Sequence, residues 1–155
     1  MSNWSKVWAL PARDKWLLAQ SLVVLPVNGL ALRLISFKRW QEILSRLALF
    51  DGQRSEAPLE SLLSSAHTTA TMVRIAAARG PYRGNCLPQS LTLWWLLRCQ
   101  KLDGHIRFGA RKEDDKLEAH AWVEFGGTAL NEGRNIHHAF KPFERLGARP
   151  EANTR

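Results

Sequence analysis

The sequence has few cysteines and no pattern that would staple a small secreted protein. Only two cysteines, Cys86 and Cys99, occur in 155 residues, and they do not form a paired-cysteine zinc pattern. A disulfide framework and a zinc-ribbon type of site are therefore excluded. His137 and His138 are adjacent and would point apart on an extended chain, so a shared metal site is not expected.

Long uninterrupted apolar segments are also missing. The longest uncharged stretch, Trp16 to Leu32, is only at the short limit for a membrane-spanning helix. It is interrupted by polar residues, a proline and a glycine: Gln20, Ser21, Pro26, Asn28 and Gly29. No apolar core followed by a small-residue cleavage site marks a signal peptide. We expect a soluble, cytoplasmic protein without membrane contact.

An excess of positive charge is concentrated near the N-terminus. The net charge is +8, from 22 basic and 14 acidic residues. Residues 1–50 hold seven basic and two acidic residues, residues 51–104 six and four, and residues 105–155 nine and eight. A basic helical segment can meet an acidic peptide, a partner protein, an anionic membrane or nucleic acid. No aromatic-interleaved nucleic-acid motif is present, so nucleic acid is not an expected partner.

The first 80 residues have the periodicity of helices. Apolar residues recur at helical spacing between Leu18 and about Leu49, and Pro26 is expected to stop or kink the first helix. Residues 51–57 have the composition of a linker. A further helical stripe from Pro58 should end at Gly80, which is expected to form a left-handed cap.

The second half of the chain changes to the periodicity of strands. A helix is predicted from Cys86 to about Arg98, with Asn85 as its N-cap. Alternating residues predict strands over 105–111 and 117–125. Gly126–Gly127 is a hairpin signal, and residues 128–132 would return as a third strand. The predicted fold class is α+β, with the Cys86 helix packed on an antiparallel sheet.

Two residues of this second half could carry chemistry. Cys86 begins a helix, where amide N–H groups and the helix dipole favour a thiolate and can bind an oxyanion. His120 lies on a later strand, on the face opposite the aliphatic residues. A cysteine at a helix start and a histidine on a following strand is the arrangement of papain-like and transglutaminase-like thiol enzymes.

The residues around this pair resemble a known family. Gly84-Asn85-Cys86-Leu87-Pro88-Gln89-Ser90-Leu91, followed by Leu96-Leu97-Arg98, resembles the cysteine helix of lasso-peptide leader peptidases. Ala119-His120-Ala121-Trp122-Val123-Glu124, followed by Gly127 and Leu130-Asn131, resembles their histidine strand and hairpin. The match is clearest over residues 83–132, and these peptidases belong to the transglutaminase-like superfamily.

The resemblance implies a cysteine peptidase that removes the leader of a ribosomally made lasso-peptide precursor. A small leader-binding protein would deliver the precursor, and a separate macrocyclase would close the ring. The basic residues Arg33, Lys38, Arg39 and Arg46 could steer an acidic leader or its carrier. No metal or other cofactor is implied. The same site could instead serve an amine acceptor, as in an acyltransferase or transglutaminase, and a non-enzymatic basic helical adaptor is the remaining alternative.

The third member of the triad is the least settled residue. In the family an Asp stands twelve residues after the histidine, whereas this chain has Glu132 there. A two-residue turn at Gly126–Gly127 would point Glu132 away from His120 and set Asn131 opposite Trp122. A three-residue turn would bring Glu132 diagonal to His120. Glu132 is favoured on the resemblance, and Asn131 stays as the alternative.

The resemblance and the composition together suggest a division of the chain. Residues 1–57 would form a helical N-terminal lobe for leader or partner docking. Residues 58–150 would form the transglutaminase-like peptidase core, and residues 151–155 a frayed tail. Cys86, His120 and Glu132 are the predicted catalytic residues of that core.

Overall fold

The fold was obtained as a computed structural model, which describes residues 9–48, 57–82, 85–113, 116–131 and 140–142. Within those residues four helices precede an antiparallel sheet of four strands, in the order β3-β2-β1-β4. The helices are α1 (Ala12–Leu34), α2 (Phe37–Leu47), α3 (Leu59–Arg79) and α4 (Cys86–Cys99). The strands are β1 (His105–Glu113), β2 (Lys116–Phe125), β3 (Thr128–Ala129) and β4 (Lys141–Pro142). The predicted α+β class is confirmed.

The first helix does not stop at Pro26, although the sequence predicts that Pro26 either stops or kinks it. α1 continues through Pro26 to Leu34 and ends where Ile35 becomes extended. A proline inside a helix costs about 3 kcal/mol because it lacks an N–H and crowds the preceding turn. Leu25, Asn28 and Gly29 flank Pro26 and are buried, so tertiary packing offsets that cost.

Gly80 ends α3 as predicted, but not in a left-handed conformation. Its φ of −74° and ψ of 172° are extended. Pro81 follows it, and the residue before a proline is pushed toward extended backbone. A side chain at this position would collide with the carbonyl oxygen of Ala76, so glycine is required here for space.

The hairpin between β2 and β3 has a two-residue turn. Phe125 pairs with Thr128 and Glu124 with Ala129. Gly126 and Gly127 have φ values of +57° and +79°, as a type I′ turn requires. The three-residue turn, which would have brought Glu132 toward His120, is therefore wrong, but the paired register ends at Ala129 and does not reach Glu132, which lies outside the described residues. β3 also ends at Ala129, short of the predicted strand end.

The main core lies between α4, α3 and one face of the sheet. Its fully buried members include Leu91, Leu93 and Leu97 of α4 and Val123 of β2. Phe125 joins them from the same face of β2. The other face of β2 forms a separate small cluster, which is described with the site below.

α1 is long and apolar enough to cross a membrane by length and composition alone. Its buried residues include Leu17, Leu18, Ser21 and Leu25, so one side of it already packs against the rest of the protein. A core helix passes the same test. The proposed division of the chain at residue 57 stays a prediction, because residues 49–56 and 143–155 lie outside the described residues.

Candidate active site

Cys86 is the first residue of α4, and its thiol is free and half-buried. Asn85 precedes the helix with extended backbone (φ −66°, ψ 175°), as predicted for an N-cap, but its side chain makes no capping hydrogen bond. An N-cap side chain normally accepts from the second or third amide of the helix. The third residue is Pro88, which has no N–H. Pro88 thus removes one of the two usual donors, and the Asn85 side chain does not use the other, the Leu87 amide.

A tyrosine shortly before Cys86 is held by a contact with α1. Tyr82 lies four residues before Cys86, and its ring and hydroxyl pack directly on Gly29 of α1. A Cβ atom on residue 29 would overlap the Tyr82 ring and hydroxyl. The absence of a side chain at residue 29 of α1 therefore makes room for Tyr82 to pack on the helix.

A buried polar network fixes the first turns of α4 from the same side. The Trp40 indole N–H donates to Asn28 Oδ1 at 2.8 Å, and Asn28 Nδ2 donates to Thr92 Oγ1 at 2.8 Å. The Thr92 hydroxyl donates to the Pro88 carbonyl oxygen at 2.8 Å. Asn28 and Thr92 are fully buried. A satisfied buried network of this kind specifies position, because losing one partner leaves the others unpaired.

A second set of hydrogen bonds ties α4 to the strand that carries His120. The Ser90 hydroxyl donates to the Ala121 carbonyl oxygen at 2.9 Å. Asn131 Nδ2 donates to Ser90 Oγ at 3.1 Å, and Asn131 Oδ1 accepts from the Val123 amide at 2.8 Å. Ser90 and its bond to Ala121 are buried, whereas the two bonds of Asn131 are partly buried.

These bonds lie at one edge of β2. The N–H and C=O groups of Ala121 and Val123 point to the β3 side, because alternate residues of a strand bond to opposite neighbours. β3 reaches only Ala129, so the Ser90 hydroxyl takes the place of a strand partner at Ala121. The first turns of α4 are thereby held beside the edge of β2 that β3 leaves uncovered.

The direction of α4 places Cys86 on the His120 side of this contact. At its far end α4 meets the later part of β2, since Leu97 and Val123 both pack against Gly104. Moving back along α4 from Ser90 therefore leads toward the beginning of β2. Cys86 lies one turn before Ser90 on the same helix face, about 6 Å along the axis.

His120 lies on the outer face of the sheet, opposite the face that packs on α4. Its imidazole stacks with Trp122, with ring centroids 6.4 Å apart, and with Phe140, at 5.1 Å. Trp122 is fully buried, and Phe140 is nearly so. Within the described residues, the first turns of α4 lie beside the edge of β2 that β3 does not reach, and a thiol on α4 could approach an imidazole on the outer face around that edge.

A polar group holds the aromatic wall beside His120. Glu124 accepts from the Trp122 indole N–H at 3.0 Å and from Arg107 Nε at 2.9 Å. Arg111 places its guanidinium 4.9 Å from the centroid of the Phe140 ring. The two rings that stack with the His120 imidazole are thus each held by a charged side chain, Trp122 by Glu124 and Phe140 by Arg111.

Glu132, the third predicted catalytic residue, lies outside the described residues. Asn131 does lie within them, and both ends of its side-chain amide bind Ser90 and Val123. In the structure, Asn131 therefore joins the hairpin to α4. His137 and His138 also lie outside the described residues. In the part of the chain that the structure describes, no group of three His, Cys, Asp or Glu residues could hold a metal ion.

Cys99 lies at the opposite end of α4, about 20 Å from Cys86 along the axis. Although the residue is exposed overall, burial of its sulfur raises the pKa of the Cys99 thiol, and the nearby Arg98 charge only partly opposes this. A cavity of about 290 Å³ lies near this end of the helix, lined by residues such as Leu102, Asp103 and Phe125. It is remote from Cys86.

The comparison with protein families identifies the kind of fold that carries this site. Residues 31–145, about three quarters of the chain, match the model of the transglutaminase-like superfamily. The chain belongs to the transglutaminase-like superfamily. This superfamily commonly includes cysteine peptidases and acyltransferases, and its members are often cysteine-dependent enzymes. No curated protein and no solved structure matches the chain.

Sequence reasoning missed several residues that position the site. The sequence places Ser90 only within the motif that follows Cys86, whereas in the structure its hydroxyl joins the Cys86 helix to the His120 strand. Phe140 lies in a region without strand periodicity, yet it stacks on His120 beside β4. Neither contact has a local signal, because each joins residues 20 or more positions apart.

Proposed function

We propose that this transglutaminase-like chain is a cysteine peptidase that removes the leader from a ribosomally synthesised lasso-peptide precursor. The observation that carries the proposal is the Ser90–Ala121 hydrogen bond, which holds the start of the Cys86 helix at the edge of the His120 strand. The resemblance of residues 83–132 to the leader peptidases supplies the substrate class. The half-buried, free Cys86 thiol and the amides of Cys86 and Leu87 supply the chemistry.

The first half of the reaction forms a thioester. His120 accepts the proton of the Cys86 thiol, and the thiolate attacks the carbonyl carbon of the scissile peptide bond. The amides of Cys86 and Leu87 donate to the oxyanion. His120 then gives its proton to the leaving amine, which departs as the new N-terminus of the core peptide. Glu132 is proposed to hold the imidazole in the required tautomer.

Water completes the reaction. His120 removes a proton from a water molecule, which attacks the thioester carbonyl, and the proton returns to the Cys86 sulfur as the bond breaks. The leader leaves with a free carboxylate. The reaction needs no metal or other cofactor in this scheme.

The proposal includes the partners that such a reaction needs. The precursor's leader would be presented by a small leader-binding protein, and the macrocyclase would use the amine that cleavage frees. The four basic residues Arg33, Lys38, Arg39 and Arg46 stand on α1 and α2, and all four are exposed. They suit an acidic leader or carrier. A cytoplasmic location is proposed for the same pathway.

The test is intact-mass analysis of a precursor incubated with the chain and the leader-binding protein. We expect two fragments whose combined mass exceeds that of the precursor by one water. Cys86→Ala should abolish cleavage, whereas Cys99→Ala should retain it. Undiminished cleavage by Cys86→Ala would refute the proposal.

The same experiment separates the alternative activities. With a primary amine added, a transglutaminase or acyltransferase would yield a leader fragment carrying the amine in place of water. A non-enzymatic adaptor would leave the precursor intact, and iodoacetamide would label Cys86 no faster than Cys99. A leader fragment carrying the amine would mean that the chain is a group-transfer enzyme. An intact precursor together with equal labelling of the two cysteines would mean that it has no enzymatic role.

A further inference from the structure

The outer side of α1 carries a row of large apolar side chains that the other described residues leave exposed to solvent. The row consists of Trp16, Val23, Val27, Leu30 and Leu34, whose exposed fractions are 65%, 64%, 48%, 60% and 76%. Scattered exposed apolar residues are ordinary on protein surfaces, but a continuous patch marks an interaction site. Five on one helix form such a patch, which we name the α1 seam.

The spacing of the α1 seam is that of a coiled-coil contact. Successive members are seven, four, three and four residues apart, and Gln20 occupies the position that would complete the repeat. Alternation of three and four residues produces the a and d positions of a heptad. The row thus follows the spacing of a coiled-coil contact, with the exposed Ala19 on the same side of α1. From Trp16 to Leu34 it runs about 27 Å.

The charges near the α1 seam argue against a second copy of this chain as its occupant. Between residues 12 and 47 there are six basic residues and only two acidic ones, Asp14 and Glu42. Lys15 lies near one end of the seam and Arg33 near the other, and both are exposed. Self-pairing would set like charges together in either orientation, because both ends are basic. Charge complementarity instead requires carboxylates on the partner.

We propose that the α1 seam binds one helix of a partner protein, which presents leucine-type side chains at its a and d positions and carboxylates on the flanking positions. The apolar knobs of that helix would insert between the seam residues, and its carboxylates would meet Lys15 and Arg33. The inner side of α1 is packed in the protein, so docking on the outer side needs no rearrangement of the core. This inference does not rest on the proposed peptidase activity, although Arg33 is also one of the residues proposed to steer the leader or its carrier.

The probe is a synthetic four-heptad peptide with Leu at a and d and Glu at e and g, labelled at one end. Its match is the same peptide with Lys at e and g. We expect fluorescence anisotropy to show that the full chain binds the Glu peptide, that added salt weakens binding, and that the Lys peptide binds at least about tenfold more weakly. The variants Val27→Gln and Leu30→Gln should each weaken the Glu peptide by about tenfold, because each removes a buried apolar contact.

Leu117→Gln is the matched control, because Leu117 of β2 is 75% exposed and lies off the α1 seam. Leu117→Gln should leave peptide binding unchanged. The melting temperatures of Val27→Gln and Leu30→Gln should stay near that of the parent chain, because glutamine is tolerated at exposed helix positions. Absence of Glu-peptide binding, or equal binding of the Lys peptide, would overturn the proposal. Two further results would also overturn it. One is binding of the chain to anionic phospholipid vesicles that is lost in Leu30→Gln. The other is a dimer in sedimentation that Leu30→Gln converts to monomer.

Discussion

Ser90 and Ala121 are joined by a hydrogen bond of 2.9 Å that connects the helix beginning at Cys86 to the residue following His120. The bond is buried, and Asn131 completes it by donating to the same hydroxyl. A single serine therefore links the helix, the strand and the hairpin. The relative position of the candidate nucleophile and base depends on this contact.

Replacing Ser90 with alanine should weaken both the fold and the site. The Ala121 carbonyl and Asn131 Nδ2 would each lose a buried partner, at a cost of about 1–3 kcal/mol. Urea unfolding would measure this loss, and the rate of precursor cleavage should fall with it. Thr68→Ala is the control, because the Thr68 hydroxyl also donates to a backbone carbonyl, that of Ser64, but is exposed. A Ser90→Ala variant no less stable than Thr68→Ala would contradict the role given to this bond.

Asn131 and Glu132 should respond differently to substitution. Asn131→Ala removes the partner of the Val123 amide, so the free energy of unfolding should fall by about 1–3 kcal/mol. Glu132→Gln should leave stability within about 0.5 kcal/mol but lower the cleavage rate by about 10²- to 10⁴-fold, if Glu132 orients His120. Cleavage assays and urea unfolding on both variants check this. Full activity in Glu132→Gln would remove Glu132 from the triad.

The Cys99 thiol should react slowly at neutral pH. Burial raises its pKa above that of an ordinary cysteine, so less thiolate is present at any pH below the folded-state value. Its rate of iodoacetamide labelling should rise only in more alkaline solution than for the unfolded chain. Peptide mapping of the Cys86→Ala variant, native and in urea, measures this. Identical pH profiles for the two states would contradict the effect of burial.

Gly29→Ala should disturb the segment before Cys86 without touching it directly. The added methyl group would collide with the Tyr82 ring, and such overpacking costs about 1–3 kcal/mol. We expect a lower melting temperature and slower cleavage. Gly127→Ala is the comparison, since nothing lies within 4 Å of its Cβ position and only its φ of +79° is strained. It should cost about 1 kcal/mol and leave the relative rate at Cys86 unchanged.

The local parts of the fold were predictable because their signals are local. Alternation predicted β1 and β2, and the Gly126–Gly127 pair predicted the hairpin. The start of α4 at Cys86 followed from its residue pattern. These features need only neighbouring residues to define them.

The features that were predicted wrongly or missed depend on an adjacent proline or on residues distant in sequence. Pro81 forces Gly80 into extended backbone, and Pro88 removes the third amide that the Asn85 side chain could have capped. The return strand stops at Ala129 because Asn131 bonds through its side chain instead of continuing the ladder. Pairing of β4 with β1 joins residues more than 30 positions apart, so no local pattern announces it.

The Asn28 amide has a practical consequence for anyone shortening this protein. The family match begins at residue 31, so a chain trimmed to that boundary would discard Asn28 and Gly29. The Trp40 indole and the Thr92 hydroxyl would lose their shared partner, Asn28. Tyr82 would lose the surface of Gly29 on which its ring packs. The helix carrying the thiol would then lose its polar anchor on α1 and keep its packing against α3 and the sheet. Residues that precede the family segment thus help to position the first turns of the helix that begins at Cys86.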